Sequence, residues 1–259
     1  MRIPLFHVDA FVTSGVFTGN PAAVCPLESW LPDALLQSIA TENNLSETAF
    51  LVGGDGRYEI RWMTPAAEVD LCGHATLAAG HVIFSALEPG RQKVSFSSKS
   101  GPLEVSRTGD VLALDFPARA PLRVADSETL ARALGRAPRE LLESRDSFAV
   151  FDDEAQVRAL APDMALLRAW PREVIVTAPG DDCDFVSRFF APRLGIPEDP
   201  VTGSAHCTLI PYWSSRLGKT SFLARQVSAR GGELSCALRG DRVSIGGRAA
   251  SYLQGAIEV

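Results

Sequence analysis

No long hydrophobic run is present in this sequence, and nowhere do about 18 uncharged apolar residues stand together. The first residues, MRIPLFHVDAF, also lack a basic segment followed by an apolar stretch and a small-residue cleavage site. These patterns give no sign of a membrane span or an export signal. We therefore expect a soluble, cytoplasmic protein that has no membrane partner.

Clusters of basic residues are missing as well. The 259 residues include 25 Lys and Arg against 31 Asp and Glu, which gives a formal net charge of −6. No block of Lys and Arg is long enough to follow a phosphate backbone. We expect no nucleic-acid partner.

Cysteines are few, odd in number and widely spaced, and no CxxC pair occurs. This pattern predicts reduced thiols and argues against a disulfide framework. The five cysteines are Cys25, Cys72, Cys183, Cys207 and Cys236.

Motifs for common cofactors and nucleophiles are also absent. The chain has no GxGxxG after a strand, no P-loop and no GxSxG, so nucleotide binding and serine-hydrolase chemistry have no support. His74 and His81 share one helical face, but no HExxH spacing accompanies them. We expect no metal and no cofactor.

Short strand-like runs dominate what is present, and a few helices lie between them. The predicted helices cover residues 31–44, where Pro32 lies in the first turn, residues 127–134, with a capping-box start at Ser127, and residues 162–170. This mixture predicts an α+β protein.

The two halves of the chain resemble each other. RWMTP at 61–65 matches RFFAP at 188–192 with an offset of 127, and Gly73 and Gly203 follow 130 residues apart. Each glycine opens a predicted helix, GHATLAAGHVIFSAL or GSAHCTLIPYWSSRL. Because order and spacing agree, the pattern favours an internal duplication with pseudo-twofold symmetry over coincidence.

Each helix start carries groups that could do chemistry. The unpaired N–H groups of a helix N-terminus attract carboxylates and developing oxyanions, so two such starts facing each other would hold a small anionic molecule. An isolated Asp or Ser at such a position is usually only a helix cap. The polar residues there are Asp70, Cys72 and His74 at the first start, and Asp199, Thr202, Ser204 and His206 at the second.

At these residues the sequence resembles the PhzF-like family of phenazine-biosynthesis isomerases, which share the diaminopimelate-epimerase fold. Four ordered motifs carry the resemblance and span nearly the whole chain. They are DAFVTSGVFTGNPAAVCPL at 9–27, NLSETAFL at 44–51, RWMTPAAEVDLCGHATLAAGHV at 61–82 and FFAPRLGIPEDPVTGSAHCTLIPYW at 189–213.

The resemblance implies an α+β protein of two similar lobes, each a curled, mainly antiparallel sheet around a central helix, with the site between them. The proline-bearing segment 116–122 separates the halves. We therefore expect lobes at 1–117 and 118–259, with the last strand as a candidate to return to the first lobe. The resemblance also implies a homodimer.

The resemblance further implies which residues form the site. Glu47 of SETAF falls on the proton-transfer glutamate, and His74, Asp199 and Ser204 fall on residues that line the same pocket. Asn20 in GNPAAV, Cys72, and the N–H groups at Gly73 and Gly203 resemble the parts that hold the substrate. We expect Glu47 to be partly shielded, since burial raises the pKa of a carboxyl group toward neutrality and lets it act as base and then as acid.

One departure bears on the mechanism. Diaminopimelate epimerases and their racemase relatives use a cysteine at each helix start, whereas here Cys72 matches the first and the second position resembles Asp199. Cys207 lies about one turn inside the helix and is a poor substitute. We therefore expect a cofactor-independent isomerase in which Glu47 moves a proton within a small carboxylate, with a cyclic amino or hydroxy acid as the candidate class of substrate.

Two alternatives stay open from the sequence. The first is a two-base racemase or epimerase with Cys72 as one base. The second is a protein of the same fold that binds a small ligand and does no chemistry.

Overall fold

The computed structural model describes residues 1–259. The chain forms two compact units: unit 1 comprises Met1–Asp115 together with Gly246–Val259, and unit 2 comprises Phe116–Ile245. No helix in either unit combines the length and the apolar composition needed to cross a bilayer.

Unit 1 is built on a mixed, mainly antiparallel sheet. Its elements are β1 (Arg2–Val12), β2 (Asn20–Leu27), α1 (Asp33–Asn43), β3 (Glu47–Gly54), β4 (Arg57–Met63), β5 (Glu68–Val69), α2 (Gly73–Val82), β6 (Lys93–Ser98), β7 (Gly101–Thr108) and β8 (Val111–Pro117). Strand β1 pairs antiparallel with β2 and with the C-terminal strand of the chain, Arg242–Glu258, while the pairs β2–β3 and β4–β6 are parallel.

Helix α2 is the central helix of this unit. It packs on β1, β2, β3 and β7, and every residue from His74 to Gly80 is buried. Small side chains allow this close approach, because a Cβ at Gly80 would lie only 2.7 Å from Val105 Cγ1. The helix continues through Ile83–Leu87 as a π-helical turn. The first residues of α2 therefore belong to a helix that is closely packed against the sheet.

Unit 2 repeats the same plan. Its elements are β9 (Leu122–Arg123), α3 (Glu128–Leu134), β10 (Glu140–Glu143), β11 (Ser147–Val150), α4 (Glu154–Ala159), α5 (Met164–Ala169), β12 (Val174–Pro179), β13 (Phe185–Phe190), β14 (Glu198–Asp199), α6 (Gly203–Leu217), β15 (Ser221–Gln226), β16 (Gly232–Arg239) and β17 (Arg242–Glu258), which ends in unit 1. The pairs β11–β12 and β13–β15 are parallel, whereas β10–β11, β12–β13 and β15–β16 are antiparallel.

The strand registers establish the duplication residue by residue. Trp62 pairs with Val69 and Met63 with Glu68, while Phe189 pairs with Asp199 and Phe190 with Glu198. Each two-residue strand then leads to a helix that begins at its glycine, α2 in unit 1 and α6 in unit 2. The two matching helix starts are thus built by the same β-hairpin geometry.

A partly buried ion pair repeats in both units. Arg61 Nε donates to Glu68 Oε1 at 2.8 Å, and Arg188 Nε donates to Glu198 Oε1 at 2.8 Å. A second guanidinium nitrogen completes a two-pronged contact in each case. These bidentate ion pairs link the short strand that precedes each helix to the longer strand beside it.

Two sequence predictions about helices need correction. Ser127 caps α3 by accepting from the Leu130 N–H, but residue 130 is no Glu or Gln, so the reciprocal half of a capping box is missing. Helix α4 is absent from the sequence predictions. Asp153 accepts from the Gln156 N–H at its start, but a helix this short shows no clear hydrophobic pattern in the sequence.

Gly19, in the loop before β2, has a backbone conformation and surroundings that only glycine fits well. Its φ is +74°, and a Cβ there would lie 2.3 Å from the carbonyl oxygen of Ala10. We expect Gly19→Ala to lower the free energy of unfolding by about 2–4 kcal/mol, because a backbone atom cannot move aside cheaply. Urea denaturation measures this loss, and Gly54→Ala, with open space around the new methyl group, is the matched control. Equal stability of the two variants would contradict this account of the loop.

Candidate active site

Glu47 begins strand β3 and lies beside the start of β2, where it is paired in register with Ala22. Its side chain is 18% exposed. The expectation of a partly shielded carboxylate at the end of a buried strand is met by this geometry.

His74 is the second residue of α2, and its side chain is only 7% exposed. His74 Nε2 lies 3.1 Å from Glu47 Oε2. The two atoms are at ion-pair distance, but they are not aligned as a hydrogen bond, and neither has another hydrogen-bond partner. A buried donor and a buried acceptor are thus both left with bonding capacity.

The opposite edge of the imidazole is held by two further side chains. Asn20 Nδ2 lies 3.2 Å from His74 Nδ1, and Cys72 Sγ lies 3.5 Å from the same nitrogen. Ser46 Oγ donates to Asn20 Oδ1 at 3.4 Å. The structure therefore brings together Glu47, His74, Cys72 and Asn20, four of the residues predicted from the sequence.

The pKa of Glu47 moves in the direction opposite to our expectation. Burial does raise it, but His74 and, to a smaller extent, Cys72 together outweigh burial, and the net pKa is lowered from the ordinary value. Burial would also lower the pKa of His74, yet the adjacent Cys72 and Glu47 raise it well above its ordinary value. The resting pair is therefore a carboxylate beside an imidazolium, and Glu47 starts as a base.

The Cys72 thiol stays protonated. Burial is the largest cause that raises its pKa to about 11, and the charge of Glu47 adds to the effect. At neutral pH the sulfur is a weak hydrogen-bonding group and no general base.

The same three side chains resemble a metal-ligand set. Glu47, Cys72 and His74 each offer one ligand atom within 4.8 Å of the others. However, the imidazole presents Nδ1 to Cys72 and Nε2 to Glu47, and one ion cannot use both nitrogens of one ring. The arrangement suits an acid–base pair, and we assign no metal to it.

The remaining predicted residues lie at the start of α6 in unit 2. Thr202 Oγ1 donates to Asp199 Oδ2 at 2.5 Å. Gly203 is buried and Ser204 is partly exposed at the first positions of the helix. These three residues, Asp199, Gly203 and Ser204, form one local group, and their catalytic roles stay predictions.

A residue outside the predicted site, Gln226, organises this group. The buried Gln226 at the end of β15 accepts from the Thr202 N–H at 2.8 Å and donates to the Asp199 carbonyl oxygen at 2.8 Å. Gln226 is far from these residues in the chain and lies in no motif, so no local signal identified it.

The strand registers correct which residue of unit 2 corresponds to the second cysteine of the diaminopimelate epimerases. Since Glu68 corresponds to Glu198 and Gly73 to Gly203, the residue equivalent to Cys72 is Thr202, and Asp199 corresponds to Val69. An alcohol has far too high a pKa to serve as a carbon base without activation. Because Thr202, like Asp199, has no thiol, a two-thiol mechanism is still disfavoured.

Neither helix start is capped by the side chain of its N-cap residue. Cys72 and Thr202 occupy those positions in extended conformations and make no capping hydrogen bond. Cys72 and Thr202 therefore do not act as ordinary helix caps. The N-terminus of each helix, α2 in unit 1 and α6 in unit 2, is by itself suited to an anion.

The other two helical histidines do not join these groups. His81 Nε2 contacts Ser251 Oγ at 3.0 Å, as suits a packed helix residue. His206 is fully buried and its Nδ1–H donates to the Thr202 carbonyl oxygen at 2.9 Å. Burial lowers the His206 pKa to about 4, so this ring stays neutral.

Comparison with known proteins found similar sequences and similar structures. A family model described as "Phenazine biosynthesis-like protein" matches residues 8–255. An uncharacterized isomerase of Pseudomonas aeruginosa is 54% identical over 260 residues, with full coverage of both chains. A crystal structure from Enterococcus faecalis, of a phenazine biosynthesis protein of the PhzF family, shares 48% identity and a TM-score of 0.97 over the full length of both chains.

A more distant structure shows the fold alone. A probable proline racemase from Agrobacterium radiobacter has a TM-score of 0.68 at 11% identity, covering 99% of this chain and 93% of its own. The predicted α+β architecture of the diaminopimelate-epimerase type, with its repeated sheet-and-helix plan, is confirmed. The chain belongs to the phenazine biosynthesis-like, or PhzF, family and is an enzyme of the isomerase class.

Proposed function

We propose that this isomerase moves a proton within a small carboxylate substrate and that Glu47 is the single acid–base group. One observation carries the proposal: Glu47 Oε2 and His74 Nε2 lie 3.1 Å apart, buried, and without any other hydrogen-bond partner. Buried polar atoms normally have such partners, so a pair without them is suited to receive a reacting molecule.

The first step is proton removal. The Glu47 carboxylate takes a proton from a substrate carbon, and the electron pair of the broken C–H bond is delocalised onto the conjugated substrate carboxylate. The His74 imidazolium next to Glu47 stabilises this developing negative charge. The lowered Glu47 pKa keeps the carboxylate ionised and ready for this step at neutral pH.

The second step returns a proton to the substrate, after partial exchange with solvent while it is on the Glu47 carboxyl group, whose side chain is 18% exposed. Protonated Glu47 delivers it to a different atom of the conjugated system, and the electron pair moves back to close the new C–H bond. One carboxylate suffices if both atoms lie on the same face of the substrate. No atom or electron is gained or lost, so the reaction is an isomerisation that needs no cofactor.

Substrate binding is assigned to the ends of the helices. The uncapped N–H groups at the start of α2, Gly73 included, are suited to a substrate carboxylate. Asp199 is proposed as a catalytic residue that orients a substrate amine or hydroxyl, and Gly203 and Ser204 are proposed as substrate-binding residues, because all three lie in EDPVTGS. A cyclic amino or hydroxy acid fits this mixture of an anion site and polar side chains.

The alternative with Cys72 as a base has little support. A thiol whose pKa is raised to about 11 is almost fully protonated at neutral pH, and the equivalent position in unit 2 holds Thr202. A two-base racemase needs an effective acid or base on each face of the substrate carbon.

An exchange experiment tests whether the protein is a catalyst. The enzyme is incubated in heavy water with a panel of small cyclic and acyclic carboxylates, and NMR follows deuterium incorporation at carbon. We expect incorporation into at least one α- or γ-carbon of a conjugated acid. A ligand that binds but shows no exchange would support the non-catalytic alternative. A homodimer, which the resemblance implies, is tested separately by sedimentation equilibrium.

A further inference from the structure

Cys72 has a contact that neither a base nor a simple packing residue requires. Its sulfur lies 3.5 Å from His74 Nδ1, within the range of a hydrogen bond to sulfur, and the residue is only 6% exposed. The two nitrogens of an imidazole lie at separate positions on the ring, so a contact at Nδ1 restricts where Nε2 points. Here Nε2 points to Glu47.

We propose that Cys72 is a positioning residue whose sulfur holds the Nδ1 edge of His74, so that Nε2 stays directed at the Glu47 carboxylate. This inference rests on the proposed function of Glu47 and His74. It assigns to the thiol no proton transfer to or from the substrate.

The Cys72 thiol can form a hydrogen bond with the neutral or with the charged form of the His74 ring. Cys72 donates S–H to Nδ1 when the imidazole is neutral there, and the sulfur accepts from Nδ1–H when the ring is charged. Asn20 supports the same edge, because an amide can turn either its NH2 or its oxygen toward the ring. The groups that face His74 are thus Glu47 from β3, Asn20 from β2, and Cys72 at its own helix start.

The internal duplication supplies independent support. Thr202 is the counterpart of Cys72, and both are N-cap residues that do not cap their own helices. Thr202 instead donates its hydroxyl hydrogen to Asp199 at 2.5 Å. In each unit the residue before the helix glycine therefore contacts a side chain of the predicted site: His74 in one, Asp199 in the other.

The chain is well suited to a direct test because it has only four histidines. NMR of protein labelled with 13C and 15N in histidine follows the protonation of each imidazole, and a His74→Asn variant assigns the His74 signals. The proposal predicts that Cys72→Ala lowers the His74 pKa and changes the Nδ1 shift. Cys72→Ser retains a hydrogen-bonding group and is expected to restore much of the wild-type signal.

Kinetics separates positioning from base catalysis. We expect Cys72→Ala to lower kcat by about tenfold, the value of one net hydrogen bond, with little change in KM. Cys72→Ser is expected to recover part of that loss. Cys207→Ala, which removes another buried thiol from inside α6, is the matched control and should leave the His74 signals unchanged.

Two outcomes would overturn the inference. His74 signals and pKa that are unchanged in Cys72→Ala would show that the sulfur does not hold the ring. A loss of exchange in both Cys72 variants as complete as in Glu47→Gln would show that the thiol is a base. The NMR measurement needs no substrate, so it fails or succeeds independently of the proposed isomerase chemistry.

Discussion

Glu47→Gln is expected to lower kcat for the isomerisation by about 10³-fold, within the range measured for loss of a general acid–base group. Glutamine has nearly the same shape and fills the same position beside His74, but its amide cannot accept a proton from carbon at neutral pH. Because shape is retained, KM is expected to change little. Steady-state kinetics on the substrate found by the exchange screen measures both constants.

The duplication provides the matched control for this variant. Glu173 stands immediately before β12 as Glu47 stands at the start of β3, and both side chains are half-buried. Glu173→Gln removes the same charge at the equivalent position of unit 2, where no histidine faces it. We expect near wild-type kcat for this variant, and equal losses in the two variants would point to a general effect of charge removal.

His74→Asn is expected to lower kcat by about 10²-fold and to move the acid limb of the pH–rate profile to higher pH. Burial raises the Glu47 pKa and His74 lowers it. When the imidazolium is removed, the largest lowering effect is lost while burial still acts, so the Glu47 pKa rises. The carboxylate form is then lost at a higher pH than in the wild-type enzyme.

The alkaline limb of the pH–rate profile is expected to depend on the protonation of His74. In the wild type the imidazolium persists above the ordinary pKa of histidine, so the rate is expected to fall only when pH exceeds the raised His74 pKa. His74→Asn has no such group and is expected to lose this limb. His81→Asn, on the same helix, is the control and should keep both limbs. An acid limb that stays in place in His74→Asn would contradict the pairing of His74 with Glu47.

Much of the fold was accessible from the sequence because its signals are local or repeated. The RWMTP and RFFAP runs and the two helix-opening glycines predicted the duplication, and the strand registers agree residue by residue. The apolar, small-residue segment after Gly73 predicted the buried central helix. Such patterns depend on chain neighbours, which a sequence displays directly.

The short range of those signals also explains what was missed. Helix α4 is only six residues long, and its N-cap Asp153 resembles any turn aspartate. Gln226 acts across 24 residues of chain through hydrogen bonds to Thr202. A contact of that kind exists only once the strand and the loop have folded together.

Electrostatics at the site could be predicted only in part. The motifs indicated that Glu47 and His74 belong to one site, but they gave no distance between the two side chains. Burial alone predicts a raised Glu47 pKa. The imidazole 3.1 Å away, helped by Cys72, reverses that sign, since a nearby positive charge favours the carboxylate form that burial disfavours.

The central claim is that one carboxylate, Glu47, transfers the proton. The most direct measurement is the rate of deuterium incorporation from heavy water into one substrate, compared among wild type, Glu47→Gln and Cys72→Ala. We predict that incorporation falls about 10³-fold in Glu47→Gln and stays within about tenfold of wild type in Cys72→Ala. Wild-type incorporation in Glu47→Gln, or its disappearance in Cys72→Ala alone, would contradict the account.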